Sequence, residues 1–265
     1  MRNALLALLF CFPPLQAAEL TLDLPGGSRT WETGALLAHP QAREVTIPDD
    51  VSYKKTMRYR AIPLAALLDG VTPEQHLQAV ALDGFAAELT AAPLLATKGS
   101  QAWLAIEDPA SPWPPLAAGK PSAGPFYLVW TDPKAARIGP EQWPYQVARI
   151  RYLPSVTERF PALLPANDAN AEVKAGFAQF QKNCLACHRL NGAGDAQFGP
   201  DLNIPHNPTE YLAGDFLPRY IRDPQSLRRW PEGKMPGFSK EAITDEELGQ
   251  LIGYLKHMAG RKVAP

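Results

Sequence analysis

Two textures of hydrophobic pattern divide the chain. From about residue 19 to residue 157, apolar residues come in short runs broken by Pro and Gly: Leu20 to Leu24, Val80 to Leu82, Trp103 to Ile106, Phe126 to Trp130 and Val147 to Leu153. Runs of this length bounded by turn formers predict strands. Between Pro63 and Leu68, Leu64, Leu67 and Leu68 share one helical face, which predicts a turn or two of helix. The class expected here is α+β with much irregular structure, and no repeat of fixed period is present. Beyond residue 171 the period changes. Val173, Phe177 and Phe180 fall at i, i+4 and i+7, and Leu248, Leu251, Ile252 and Leu255 form a second stripe. Thr244 followed three residues later by Glu247 fits a capping box, so the last helix is expected to start at Thr244. Asp245, Glu246 and Glu247 in its first turn suit the helix dipole. This second region is predicted to be mainly helical. Pro154 to Asn170 joins the two, with three prolines and a closing polar run, Asn167-Asp168-Ala169-Asn170, that can start a helix.

The amino terminus adds a compartment. Arg2 precedes an apolar run from Ala4 to Phe12, and Gln16-Ala17-Ala18 follows. A positive start, a short apolar stretch and small residues at a cut site predict a secretory signal over residues 1–18. The run is short for a bilayer span, so an uncleaved anchor is the lesser alternative. Cys11 follows Phe10, where a lipoprotein site would want a small residue. The expected layout is therefore a signal peptide over 1–18, an α+β domain over 19–157, a linker over 158–170 and a helical domain over 171–263. A hydrophobic content of 46 % and a charged content of 20 % exclude a disordered or fibrous chain. A formal net charge of −1 supplies no global attraction to nucleic acid or an anionic membrane.

The cysteines supply the chemistry. There are three, and loss of Cys11 with the signal leaves Cys184 and Cys187. They stand in Cys184-Leu185-Ala186-Cys187-His188, a C-x-x-C-H motif. Two thiols at this spacing reach the two vinyl groups of one porphyrin and form thioethers. The next residue, His188, then brings its imidazole under the iron. A thioredoxin-like motif would follow a strand in a βαβ unit, whereas here a helix is predicted before it. A zinc site would want a second Cys or His pair. His39, His76, His206 and His257 are solitary, and none is assigned to a metal.

Residues 171–260 resemble a class I cytochrome c domain. The opening helix with Gly176, Phe177 and Phe180 is followed by Cys184 to His188. Gly199-Pro200-Asp201-Leu202, Tyr220 to Pro224, Lys234-Met235-Pro236-Gly237-Phe238 and a closing helix with Leu251, Tyr254 and Leu255 come next. The resemblance implies an all-α fold with one covalently attached haem c. It implies His188 and Met235 as the two axial ligands of the iron, with Cys184 and Cys187 as the thioether anchors. A thioether is a soft ligand that favours reduced iron. The same resemblance implies that Pro200 packs on the His188 side and that a nearby carbonyl accepts the ring N–H of His188. Gly176 would let the opening helix cross the closing one, with Phe177 and Tyr254 at the contact. Arg222, Arg228, Arg229 and Trp230 are candidates to meet the haem propionates. His206 and Met258 are the rivals to Met235.

In the first region, Tyr59 to Leu68, Leu82-Asp83-Gly84-Phe85 and Gly124-Pro125-Phe126-Tyr127-Leu128-Val129-Trp130 resemble the molybdopterin-binding domain of the sulfite oxidase family, which implies a mixed sheet. Members of that family usually bind molybdenum through a cysteine thiolate, and this region has none. Molybdopterin is therefore not expected, and a docking domain is. The function these signals indicate is an exported mono-haem c-type cytochrome. It would pass single electrons between periplasmic redox proteins, either soluble or loosely membrane-associated. It is read as an electron-transfer protein rather than an enzyme. The alternative is a haem-containing oxidoreductase subunit whose amino-terminal domain binds a substrate or a molybdopterin-type cofactor. A haem-based sensor would want an open sixth position, which Met235 argues against.

Overall fold

The computed structural model describes residues 18–196 and 198–263. The predicted signal segment, with Cys11, lies outside the described residues apart from Ala18.

The first region forms nine strands: β1 (Glu19–Leu24), β2 (Gly27–Glu32), β3 (Arg43–Ile47), β4 (Met57–Pro63), β5 (His76–Ala81), β6 (Ala86–Thr90), β7 (Gln101–Ile106), β8 (Phe126–Thr131) and β9 (Val147–Leu153). They build one sheet of order β2-β1-β9-β5-β6 and another of order β3-β4-β7-β8. β1 and β9 run parallel and every other pairing is antiparallel, so the first sheet is mixed. β8 is buried from Phe126 to Trp130, as expected for a strand covered on both faces. β4 alternates, with Met57, Tyr59 and Ala61 inside and Arg58 and Arg60 outside. The helical turn expected before Leu68 is a single 3-10 turn, Leu64–Leu67.

Two expectations need correction. The run ending at Leu82 stops being a strand at Ala81, where the pairing of β5 with β9 shifts register, and Leu82 points outward at 66 % exposure. The Pro-rich stretch after residue 154 is packed rather than a free linker. Val156 and Leu163 are buried in the core of the second region, and the Tyr254 hydroxyl donates to the Leu163 carbonyl at 2.6 Å.

The second region is helical, as expected, with long loops between its helices. Its frame is an opening helix (Ala171–Asn183) crossed by a closing helix (Asp245–Ala259), with a shorter helix (Phe216–Arg222) between. Both long helices start where local hydrogen bonding dictates. The Asn170 side chain accepts from Val173 N, and Thr244 and Glu247 form a reciprocal capping box. The helices can cross closely because Gly176 has no side chain. A Cβ there would run into the backbone carbonyl of Gln250. Phe177 and Phe180 each pack 5.4 Å from Tyr254, ring centre to ring centre.

A polar interface joins the regions. The Arg159 guanidinium donates to both oxygens of Glu88 at 2.8 and 2.7 Å and to Asp195 at 2.7 Å. Buried Gln78 donates to Glu88 and Asp195 and accepts from Arg151. Burial works against the charged form of Glu88. Hydrogen bonds from His76 and Arg159 outweigh it and hold the carboxyl below its ordinary range.

Candidate functional site

The opening helix ends at Asn183, and the C-x-x-C-H segment continues from it as tight turns. Cys184 N bonds to Phe180 O at 2.9 Å, and Cys187 N and His188 N both bond to Cys184 O, at 3.1 and 2.8 Å. Leu185 and Ala186 are buried in the core, which fixes the segment from inside. Both cysteines are free, not joined to each other, and partly accessible. Burial, then the charge of Glu141, pushes both thiols up, Cys187 to about 12. In this form they are neutral.

His188 is held from behind. Its Nδ1 lies 2.8 Å from the Pro200 carbonyl, which can only accept, so Nδ1 carries the proton and Nε2 keeps its lone pair. Burial lowers its pKa, against the pull of Pro200 and Asp201, and favours the neutral ring a metal requires. Gly199 lies flat against the ring, because a Cβ at that position would overlap the imidazole. The expected carbonyl partner of His188 is thus Pro200 itself.

The loop that carries Pro200 is pinned by Asp201, quoted in the sequence only as part of its motif, and by three asparagines that sequence reading did not single out. Asp201 Oδ1 accepts from Asn191 N, Asn203 N and Ile204 N, and its Oδ2 from Gly192 N. Asn191, Asn203 and Asn207 form a buried ladder. Asn203 donates to Asn191 Oδ1 at 2.7 Å and Met258 O at 2.8 Å, and Asn207 to Asn203 Oδ1 and Leu255 O at 2.9 Å each. Three asparagines in a loop read as turn formers, and their mutual spacing carries no local signal.

Met235 is half-buried and packs against the second core. The loop behind it is tied down where Phe238 N bonds to Ile221 O at 3.0 Å, and Gly237 passes close to the Arg222 carbonyl. The two rivals are placed differently. Met258 is buried under the closing helix, while the His206 side chain is 76 % exposed, 4.0 Å from Glu210. Arg222 is not available for a propionate. Its guanidinium donates to the carbonyls of Phe238, Ser239 and Ile243 and to Asp245. Arg228 and Arg229 are exposed, with Arg228 5.9 Å over the ring of Trp230.

The donor set fits a haem c. It comprises two free thiols three residues apart, a neutral imidazole with Nε2 free, and a thioether on a braced loop packed against the same core. Among the described residues no cluster of three or more His, Cys, Asp or Glu forms a site for a bare metal ion.

Residues 173–259 match the family model described as Cytochrome c. No curated protein matches the chain. Among solved structures, the sulfane dehydrogenase SoxCD from Paracoccus pantotrophus is similar at 17 % identity with a TM-score of 0.35. The match covers 51 % of this chain and 38 % of that one.

Proposed function

We propose that this chain is an exported mono-haem c-type cytochrome that passes single electrons between periplasmic redox proteins, its amino-terminal domain serving as the docking module. The observation that carries the reading is the free Nε2 of His188, fixed by Pro200 beside two free thiols, within a region matching the Cytochrome c family. When bound, a haem c supplies a one-electron iron couple. The chain's own residues do the rest. Cys184 and Cys187 would hold the ring by thioethers, and His188, orientated by Pro200, would supply a nitrogen to the iron. Met235 would supply a thioether sulfur to the iron, and Gly199 leaves room for the imidazole, since a Cβ there would meet the ring. Arg228 and Arg229 are the remaining cations for the propionates. The amino-terminal domain is read as a sulfite-oxidase-like fold without its thiolate. No described helix is long and apolar enough to cross a membrane, and export rests on the Arg2 and Ala4 to Phe12 pattern.

Metal and haem analysis tests this reading. Haem should survive acid and organic extraction of the denatured protein, and Cys184→Ser with Cys187→Ser should lose it. Freely extracted haem would refute covalent attachment, and stoichiometric molybdenum would turn the reading to a molybdenum oxidoreductase subunit. Met235→Ala should keep the haem attached, abolish the near-infrared band of methionine-ligated ferric iron, and open the iron to carbon monoxide. An unchanged spectrum in that variant would remove Met235 from the ligand set.

A further inference from the structure

The turn Pro140–Gln142 brings a carboxylate from the amino-terminal domain to the haem-attachment segment. Glu141 on that turn is only 8 % exposed. Among the described residues neither a hydrogen bond nor a cation stabilises its charged form, and burial alone lifts its pKa, to about 7. The turn stands at the end of the opening helix, beside Asn183, and the charge of Glu141 acts on Cys184 and Cys187 and on Tyr145 of its own domain. Asp83, in the turn between β5 and β6, acts on Cys187 and Tyr145 as well. The cations of this interface are engaged elsewhere. Lys182 Nζ donates to the Arg137 carbonyl at 2.7 Å, and the Arg137 guanidinium pairs with Glu247. The contact is close. A Cβ on Gly139 would stand 3.4 Å from the Lys182 chain and 3.6 Å from Asn183 Oδ1. That oxygen is itself buried without a hydrogen-bond partner.

A buried carboxylate without a cation is costly in its charged form. A ferric haem tethered at Cys184 and Cys187 carries one more positive charge than a ferrous one, and in a low-dielectric interface that charge favours ionised Glu141. Reduction removes the charge, and a proton can replace it. We propose that Glu141 is a redox-linked proton site, taking up one proton from solvent when the attached haem is reduced and releasing it on oxidation. The electron comes from the one-electron donor protein of the proposed function, on which this inference rests. Per turn, ferric haem, Glu141 carboxylate, one electron and one proton become ferrous haem and neutral Glu141. The docking domain thereby tunes the potential of the haem it covers and ties it to pH.

The test is a spectroelectrochemical titration of the full-length haem protein from about pH 5 to about pH 9. In the wild type the midpoint potential should fall as pH rises through neutrality, by at most about 59 mV per unit, the value of a tenfold change for one electron. Glu141→Gln should flatten this slope while leaving the absorption spectrum unchanged. Equal slopes in the two proteins would overturn the proposal. Where Glu141→Gln fails to mature, redox-difference infrared spectra of wild type with isotope-labelled glutamate decide. A labelled protonated-carboxyl band growing on reduction supports the proposal, and its absence refutes it. A wild type without covalent haem would sink the proposed function itself, whereas a haem with a pH-independent potential sinks only this inference.

Discussion

The two regions solve the problem of shape in opposite ways. The amino-terminal region is held by backbone pairing. Nine strands enclose an apolar core, and its chief buried carboxylate, Asp50, is fully satisfied by Ser52 N, Tyr53 N and the hydroxyls of Tyr59 and Tyr127. Burial and Asp50 push both phenols far above their ordinary range, so neither ionises. The carboxy-terminal region has two long helices and much loop, and side chains do what ladders do elsewhere. Asp201 ties its own loop together through backbone N–H groups, and Asn203, Asn207 and Arg222 fasten loops to helices through carbonyls. A haem attached to the second region, as proposed, would become part of its core. The chemistry accordingly lies in the less regular half.

Losing the haem tests that contrast most severely. Cys184→Ser with Cys187→Ser should remove the unfolding transition of the carboxy-terminal region, or shift it far down, while the amino-terminal transition stays in place; calorimetry reads both. A joint shift of the two transitions would mean that the Arg159, Glu88 and Asp195 interface makes the chain one cooperative unit. Asp50→Ala should act on the other half. It orphans buried donors that cost about 1–3 kcal/mol each, so a loss of about 3 kcal/mol is expected with the haem spectrum unchanged. A spectral change would show that the strand core supports the haem pocket. Gly176→Ala should cost about 1–3 kcal/mol through overpacking at the helix crossing, measured by denaturant unfolding, and should spare the amino-terminal transition. A neutral result there would mean that the helices can slide apart, and that the crossing matters less than the loops.

The sequence was most legible where interactions are local. Asn170 and Thr244 cap the helices expected of them, since the bonds concerned span three residues. Five of the nine strands stood out as apolar runs. β2 did not, because it is an exposed edge with only Trp31 half-buried, and β3 and β4 hide their alternation among arginines and glutamates. Leu82 was misplaced because a register shift is a property of two strands, not one. The stretch after Pro154 looks like a linker by composition. It is packed because Val156 and Leu163 find a core supplied by helices far along the chain. A cut meant to separate the regions therefore belongs upstream of Val156.

What the sequence determined by itself is the attachment chemistry. Cys184, Cys187 and His188 lie within five residues, so covalent spacing alone brings together the groups on which the proposed haem attachment rests. Tertiary structure alone decided what surrounds them. Pro200, twelve residues from His188, selects its tautomer, Arg222 is spent on the loop beyond Met235, and the charge of Glu141 reaches both cysteines from the other domain. The reason is physical. A bond between neighbours in the chain costs little entropy and leaves a pattern in the sequence. A charge delivered across a domain interface depends on how two cores meet, and no spacing along the chain records that.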